Sequence, residues 1–274
     1  MGLGNSNMGL SNTLENIVKI FLRKKYSSYE VVIHSFHKYF IVVISVGQFK
    51  GSSSSPKIFH AFIKALSELG EDIIAKKYKL HCRSGLAGGL FLNTAIQRAK
   101  EELLERDAFF YHYRSSSPFI NVSKKKSLYI AKLNSNDSKN NVVLAFNQDY
   151  LKGNFFKFGM GSSRDLSSAQ KKAIAEQKVL ELNHQKYPDW FKKSGLPIDQ
   201  HHLESNDHRN ILKIKNLLKS SDVSKVRIFN NSKWVINEID SPIKFLKYAY
   251  LDHPELLKIE FGKREEDGVL HPFW

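Results

Sequence analysis

Apolar residues recur at helical spacing along "SNTLENIVKIFLRKKY", behind residues that favour a cap, and predict a helix over 12–25. The next two runs, "YEVVIHSF" and "KYFIVVISVG", are rich in β-branched and aromatic side chains and meet near His37 and Lys38, the pattern of a hairpin. "SSPKIFHAFIKALSELGEDIIAKK" returns to the helical period, with a proline near its start and Ile58, Phe62, Leu66 and Ile73 on one face, and predicts a helix over 57–76. A glycine-rich turn, "CRSGLAGGL", then leads into a second amphipathic helix, "FLNTAIQRAKEELLERDAFF". "SLYIAKL" and "NVVLAF" read as strands around the polar turn "NSNDSKNN", and the glycine turn in "FFKFGMG" opens a long helix, "SSAQKKAIAEQKVLELNHQ", which ends before Pro188. Beyond the linker "SGLPIDQHHLESNDH" the pattern predicts a helix near 208–219 and strands near 224–237 and 256–261. No fixed period repeats, but a glycine-rich turn followed by an acid-bearing helix occurs twice.

These elements predict an α+β protein with mixed sheets and packed helices, in two to three closely joined subdomains: 1–50 as an N-terminal helix and hairpin, 51–190 as the core, and 191–274 as a C-terminal lobe and tail. At 274 residues, with 42% hydrophobic and 12% aromatic content, the chain has the material for a real core. It contains neither a membrane-length apolar run nor the charged start and apolar block of a secretion signal, so a cytoplasmic protein without a membrane partner is expected. The single cysteine, Cys82, excludes an internal disulfide framework and cannot alone build a thiolate metal site; it is read as a buried thiol. Charge changes the picture more. The 42 Lys+Arg against 27 Asp+Glu leave +15, gathered in runs such as "RKK" and "KKK", which calls for anionic partners. Zinc-finger spacing, an aromatic stacking strand and a sustained basic helix are all missing, so nucleic acid is the minority reading beside nucleotide phosphates or an acidic polypeptide.

Candidate chemistry lies on the two acid-bearing helices. On the first, Ile96, Ala99, Leu103 and Phe110 make an apolar stripe, with Arg98, Glu102, Glu105 and Arg106 along its flank. On the second, Ala169, Ala173, Glu176 and Leu180 fall within about 60° of one another, so Glu176 is expected to face inward. A carboxylate there must meet a cation, be protonated or help to hold a metal. If both helices face one cleft, three carboxylates converge, an oxygen-rich setting that suits Mg²⁺ completed by water and phosphate oxygens. Glu102 and Arg106 are equally an ordinary i,i+4 surface pair. His201, His202 and His208 form a loop cluster without the spacing of a metal site.

Taken in order, these pieces resemble the YcaO family. "SGLAGGLFLNTAIQRAKEELLERDAFF" is similar to the family's glycine turn and E-xx-E-R-D-A helix, "GMGSSRDLSSAQKKAIAEQ" to its second glycine turn and A-xxx-A-xx-E helix, and the final "GVLHPFW" to its HPF-type tail. The resemblance covers residues 50–185 well and 240–274 weakly.

It implies an ATP-dependent cyclodehydratase that uses Mg²⁺ and forms thiazoline or oxazoline rings in a ribosomally made precursor peptide. Glu102, Glu105 and Glu176 would hold the nucleotide's Mg²⁺, Arg106 and Arg98 would bind nucleotide, and the terminal carboxylate of Trp274 would act as a local base. A separate leader-peptide-binding protein and a flavin dehydrogenase would be partners, in a hetero-oligomer or homodimer. Two positions depart from the family pattern: Arg98 replaces a small, hydroxylated or histidine residue, and Val179 a glutamine. Those departures leave room for a non-catalytic YcaO-like scaffold, and the resemblance equally covers thioamide- and amidine-forming enzymes.

Overall fold

A computed structural model describes residues 13, 16, 28–36, 39–80, 84–135, 137, 139–148, 158–186, 208–218 and 233–256. Contacts divide the chain into two compact units, Met1–Lys100 with Val235–Asp252, and Glu101–Trp234 with His253–Trp274. Among the described residues there are four helices and three sheets, within the expected α+β class, and every strand pairing is antiparallel. None of these helices is long and apolar enough to cross a membrane.

In the first unit, β1 (Tyr29–Phe36), β2 (Tyr39–Val46) and β3 (Phe49–Ser55) form a meander, and α1 (Ile58–Lys77) lies on it. Val42, Ile44 and Val46 alternate onto the covered face of β2, where Ala61, Phe62, Ala65, Leu66 and Leu69 of α1 meet them. The hairpin and the 57–76 helix stand as expected. β3 does not announce itself in sequence, because "FKGSSSS" has almost no apolar side chains. It is a strand because a helix backbone rests on it: a Cβ on Gly51 would lie 2.1 Å from the Ala65 carbonyl oxygen and 2.3 Å from the Leu69 nitrogen.

The residues "LAGG" read as a turn are in fact a buried strand, β4 (Leu86–Gly89), paired with the later strand β10 (Lys247–Asp252), which in turn pairs with β9 (Val235–Ile239). Tyr248 of β10 sits against two glycines. A Cβ on Gly70 would come within 1.9 Å of its hydroxyl, and one on Gly88 within 2.5 Å of its ring. Burial holds that phenol neutral, its hydroxyl pointing at the Leu66 and Ser67 carbonyls.

Helix α2 (Leu92–Ser115) gives its first turns to the first unit and the rest to the second. The second unit holds the four-stranded sheet β5 (Ile120–Lys125), β6 (Leu128–Leu133), β7 (Asn141–Asn147) and β8 (Phe158–Ser163), on which α3 (Leu166–Lys186) packs; α4 (His208–Leu217) follows. The "FGMGSS" glycine turn is also a strand. A Cβ on Gly161 would sit 2.2 Å from the Ala169 carbonyl oxygen, and one on Gly159 2.1 Å from that of Ala173.

The internal echo therefore differs from the one the sequence suggests. It relates β3–α1 to β8–α3, and it extends to a carboxylate. The residue before each glycine donates its N–H to a helix acid, Lys50 to Asp72 Oδ2 at 3.0 Å and Met160 to Glu176 Oε2 at 2.8 Å. The strand expected at 224–237 is seen only as β9, since 224–232 lie outside the described residues. The one at 256–261 likewise falls outside them beyond Leu256, which is not in a strand, while β10 was unforeseen. Of the 12–25 helix only Thr13 and Asn16 are described, and both are helical.

Replacing Gly51 with Ala should destabilise the protein by about 3 kcal/mol, because the clash is with backbone that must shift. Gly47→Ala, at φ +56° in open space, should cost only about 1 kcal/mol for the left-handed conformation. Urea unfolding of the two variants measures the contrast; equal losses would show that the helix–strand contact is not tight.

Candidate functional site

The polar part of the second unit is built by one face of α2 and one of α3. Because Gly159 faces the Ala173 carbonyl and the Gln177 nitrogen, the inward face of α3 centres on Ala169, Ala173 and Gln177, the last being only 2% exposed. Glu176 is thereby turned to the flank, not inward as expected, and keeps an exposed side chain. Its carboxyl nevertheless accepts the Met160 N–H, and the protein around that contact displaces part of its water. That loss of water raises its pKa, against the pull of the Met160 N–H and of Arg106.

Glu105 of α2, half-buried, is the more strongly perturbed group. Its pKa is pushed up to about 8, first by desolvation and then by the neighbouring Glu176 carboxylate, with Glu102 adding to the rise; Arg106 and Lys172 pull the other way. The charge on Glu176 thus opposes ionisation of Glu105, and the nearby cations only partly offset it. Glu102 turns to Arg106, 3.9 Å away. Lys172 of α3 meets Glu101 Oε2 at 2.6 Å and donates to the Ser162 carbonyl at 2.8 Å.

Arg98, on the first turns of α2, has different company within the first unit. Its guanidinium donates to the Gly88 carbonyl and to Ser67 Oγ, the latter at 2.8 Å, and lies 3.5 Å from Glu68 and 3.7 Å from Glu71. Glu71, nine-tenths buried, also accepts the Gly88 N–H at 2.8 Å and the Ser67 hydroxyl at 3.2 Å. Trp274, Cys82, His201 and His202 lie outside the described residues; His208 opens α4. Val179 is half-buried on α3.

Among the described residues no group of three or more His, Cys, Asp or Glu is arranged to hold a metal unaided. The donor set of Glu105 and Glu176 still fits Mg²⁺, an ion commonly bound by one or two carboxylates with water and phosphate oxygens filling its shell. A divalent cation there would relieve both the desolvation and the like-charge contact that raise the pKa of Glu105.

No protein-family model matches the chain, and no curated protein sequence does. Solved structures do match. YcaO from Methanopyrus kandleri, bound with AMPPCP and Mg²⁺, superposes with a TM-score of 0.60 at 11% identity over 89% of this chain and 90% of that one. The E. coli microcin synthetase McbBCD complex gives 0.58 at 10% identity over 82% and 88%, and the same complex with pro-MccB17 bound gives 0.61 at 9% over 85% and 89%. This chain has the YcaO fold.

On that YcaO fold, sequence reasoning named Arg98, Glu102, Glu105, Arg106 and Glu176 but passed over Glu68 and Glu71. The signal was available: α1 carries E-x-x-E at 68 and 71 in the same spacing as Glu102 and Glu105 on α2. Lys172 and Glu101 were missed as well, having no motif of their own.

The raised pKa of Glu105 carries a stability signature with a definite sign. The folded protein holds this proton more tightly than the unfolded chain, so the contribution is complete below about pH 4.5 and is lost as pH rises through about 8. In a chelator, thermal melts across that window should show the parent losing stability relative to Glu105→Gln, which cannot ionise. Parallel profiles would mean that Glu105 titrates normally.

Proposed function

We propose that the chain is an ATP-dependent enzyme of YcaO type, a cyclodehydratase component that activates backbone amides of a ribosomally made precursor peptide and forms thiazoline or oxazoline rings. The observation that carries this reading is the Glu105–Glu176 pair, two partly dehydrated carboxylates on facing elements of a YcaO fold. Glu105 and Glu176 would hold Mg²⁺, with Glu102 completing its surroundings. Arg106, already ion-paired to Glu102, would turn part of its positive charge to phosphate oxygens, and Arg98 is assigned to the nucleotide by resemblance alone. ATP, when bound, supplies the phosphoryl group that makes the amide oxygen a leaving group. The protein's own share is positioning, exclusion of water and neutralisation of phosphate charge.

The support from neighbours is of two kinds. One YcaO neighbour was solved with AMPPCP and Mg²⁺; the other is a complex solved with pro-MccB17. A peptide substrate and partner subunits, among them a leader-peptide-binding protein and a flavin dehydrogenase, follow from this reading, as does a single continuous YcaO-like domain across 1–50, 51–190 and 191–274. Thioamide or amidine formation uses the same nucleotide chemistry with another nucleophile. A non-catalytic scaffold is the second reading, favoured by the closed network in which Glu68, Glu71, Ser67 and Gly88 occupy Arg98.

Calorimetry with Mg²⁺·ATP tests the proposal. Glu105→Gln and Glu176→Gln should each weaken binding at least tenfold, about 1.4 kcal/mol, while remaining folded. Folded variants that bind as tightly as the parent would overturn the assignment. Phosphate release is expected to stay low for the isolated chain and to rise when partner and precursor peptide are added; full peptide modification by the chain alone would exclude a partner-dependent enzyme.

A further inference from the structure

Lys172 and Glu101 stand one helical turn ahead of the carboxylate pair, in matched register. Glu101 precedes Glu105 by four residues on α2, and Lys172 precedes Glu176 by four residues on α3, so each lies on the same helix face as the acid that follows it. A side-chain contact bridges the interval between these two faces. The Lys172 ammonium spans that interval. It meets Glu101 at 2.6 Å and the Ser162 carbonyl of β8 at 2.8 Å, fastening α2, α3 and β8 at one point. Two groups hold it where a surface ion pair would have only one, and the Glu101 side chain is just 15% exposed.

Glu105 and Glu176 follow one turn further on, near enough for the charge on Glu176 to oppose ionisation of Glu105. Met160 holds Glu176 to β8, and Glu105 is carried by α2. We infer that Lys172 and Glu101 are positioning residues, a clamp across the two helices that sets the spacing of Glu105 and Glu176 for a divalent cation. The inference rests on the metal reading of that pair.

Simple electrostatics predicts the opposite sign, which makes the clamp testable. Removing a lysine near an anionic site should strengthen cation binding if charge is all that matters; removing a clamp should weaken it. Mn²⁺ binding to the full chain, followed by electron paramagnetic resonance, gives the readout without catalysis. Lys172→Met should weaken Mn²⁺ about tenfold, the range in which outer-shell partners of metal ligands act. Lys172→Arg should bind like the parent, and the exchange Glu101→Lys with Lys172→Glu, which restores the ion pair but not the bond to the Ser162 carbonyl, should recover part of the loss. If Lys172→Met melts far below the parent, Lys172→Arg and the exchanged pair carry the decision, and weak binding in both overturns the clamp. A parent that binds no Mn²⁺ overturns the metal reading together with the clamp. A parent that binds while Lys172→Met binds equally or more tightly overturns the clamp alone.

Discussion

The backbone of α1 rests on Gly51 and that of α3 on Gly159 and Gly161, at distances that leave no room for a Cβ. Much of the architecture follows from this contact. It fixes which face of each helix is inward, and it brings a strand N–H, from Lys50 or Met160, within reach of a helix acid, Asp72 or Glu176. The buried apolar cluster of the first unit then closes around α1 with Phe62, Leu66 and Leu69, and the smaller one of the second around Ala169 and Ala173. Small residues are required at these crossings and permitted few substitutes, whereas the surrounding aliphatic positions can exchange among Val, Ile and Leu at modest cost. That asymmetry is consistent with a fold shared at TM-scores of 0.58–0.61 when only 9–11% of residues are identical.

Electrostatics adds the second layer. Glu71 is buried, with a serine, an amide and an arginine all meeting its Oε1. Glu105 is the reverse case, a carboxyl short of both water and positive charge. Stability alone would favour a neutral side chain at such a position, which makes Glu105 a candidate functional position.

Long periodic segments were legible from sequence because their burial is one-sided. The β1–β2 hairpin is built from two runs rich in β-branched and aromatic side chains, and α1 begins within a residue of its predicted start. Three strands escaped because their role is to be small: β3 is mostly serine, while β4 and β8 carry glycines that resemble turns when the helix lying on them is unknown. β10 escaped because Lys247 and Asp252 bracket a short apolar run whose pairing partners, β4 and β9, include a strand far away in the chain. At the site, the helix wheel placed Glu176 within about 60° of the true inward line but could not choose between it and Gln177. That choice is made by the glycines of β8, a tertiary constraint no single-helix pattern contains.

Tyr248 has a consequence for how the chain is made. The first unit consists of residues up to Lys100 and a return segment, Val235–Asp252, and this tyrosine fills the space between Gly70 and Gly88. On a ribosome the meander and α1 emerge early and have mostly local contacts, so they can collapse at once. Their packing remains open at those glycines until the strand bearing Tyr248 has been synthesised, after nearly all of the second unit. The nascent chain therefore carries an unfinished sheet edge at β4 through most of translation, the kind of exposed surface on which chaperones act.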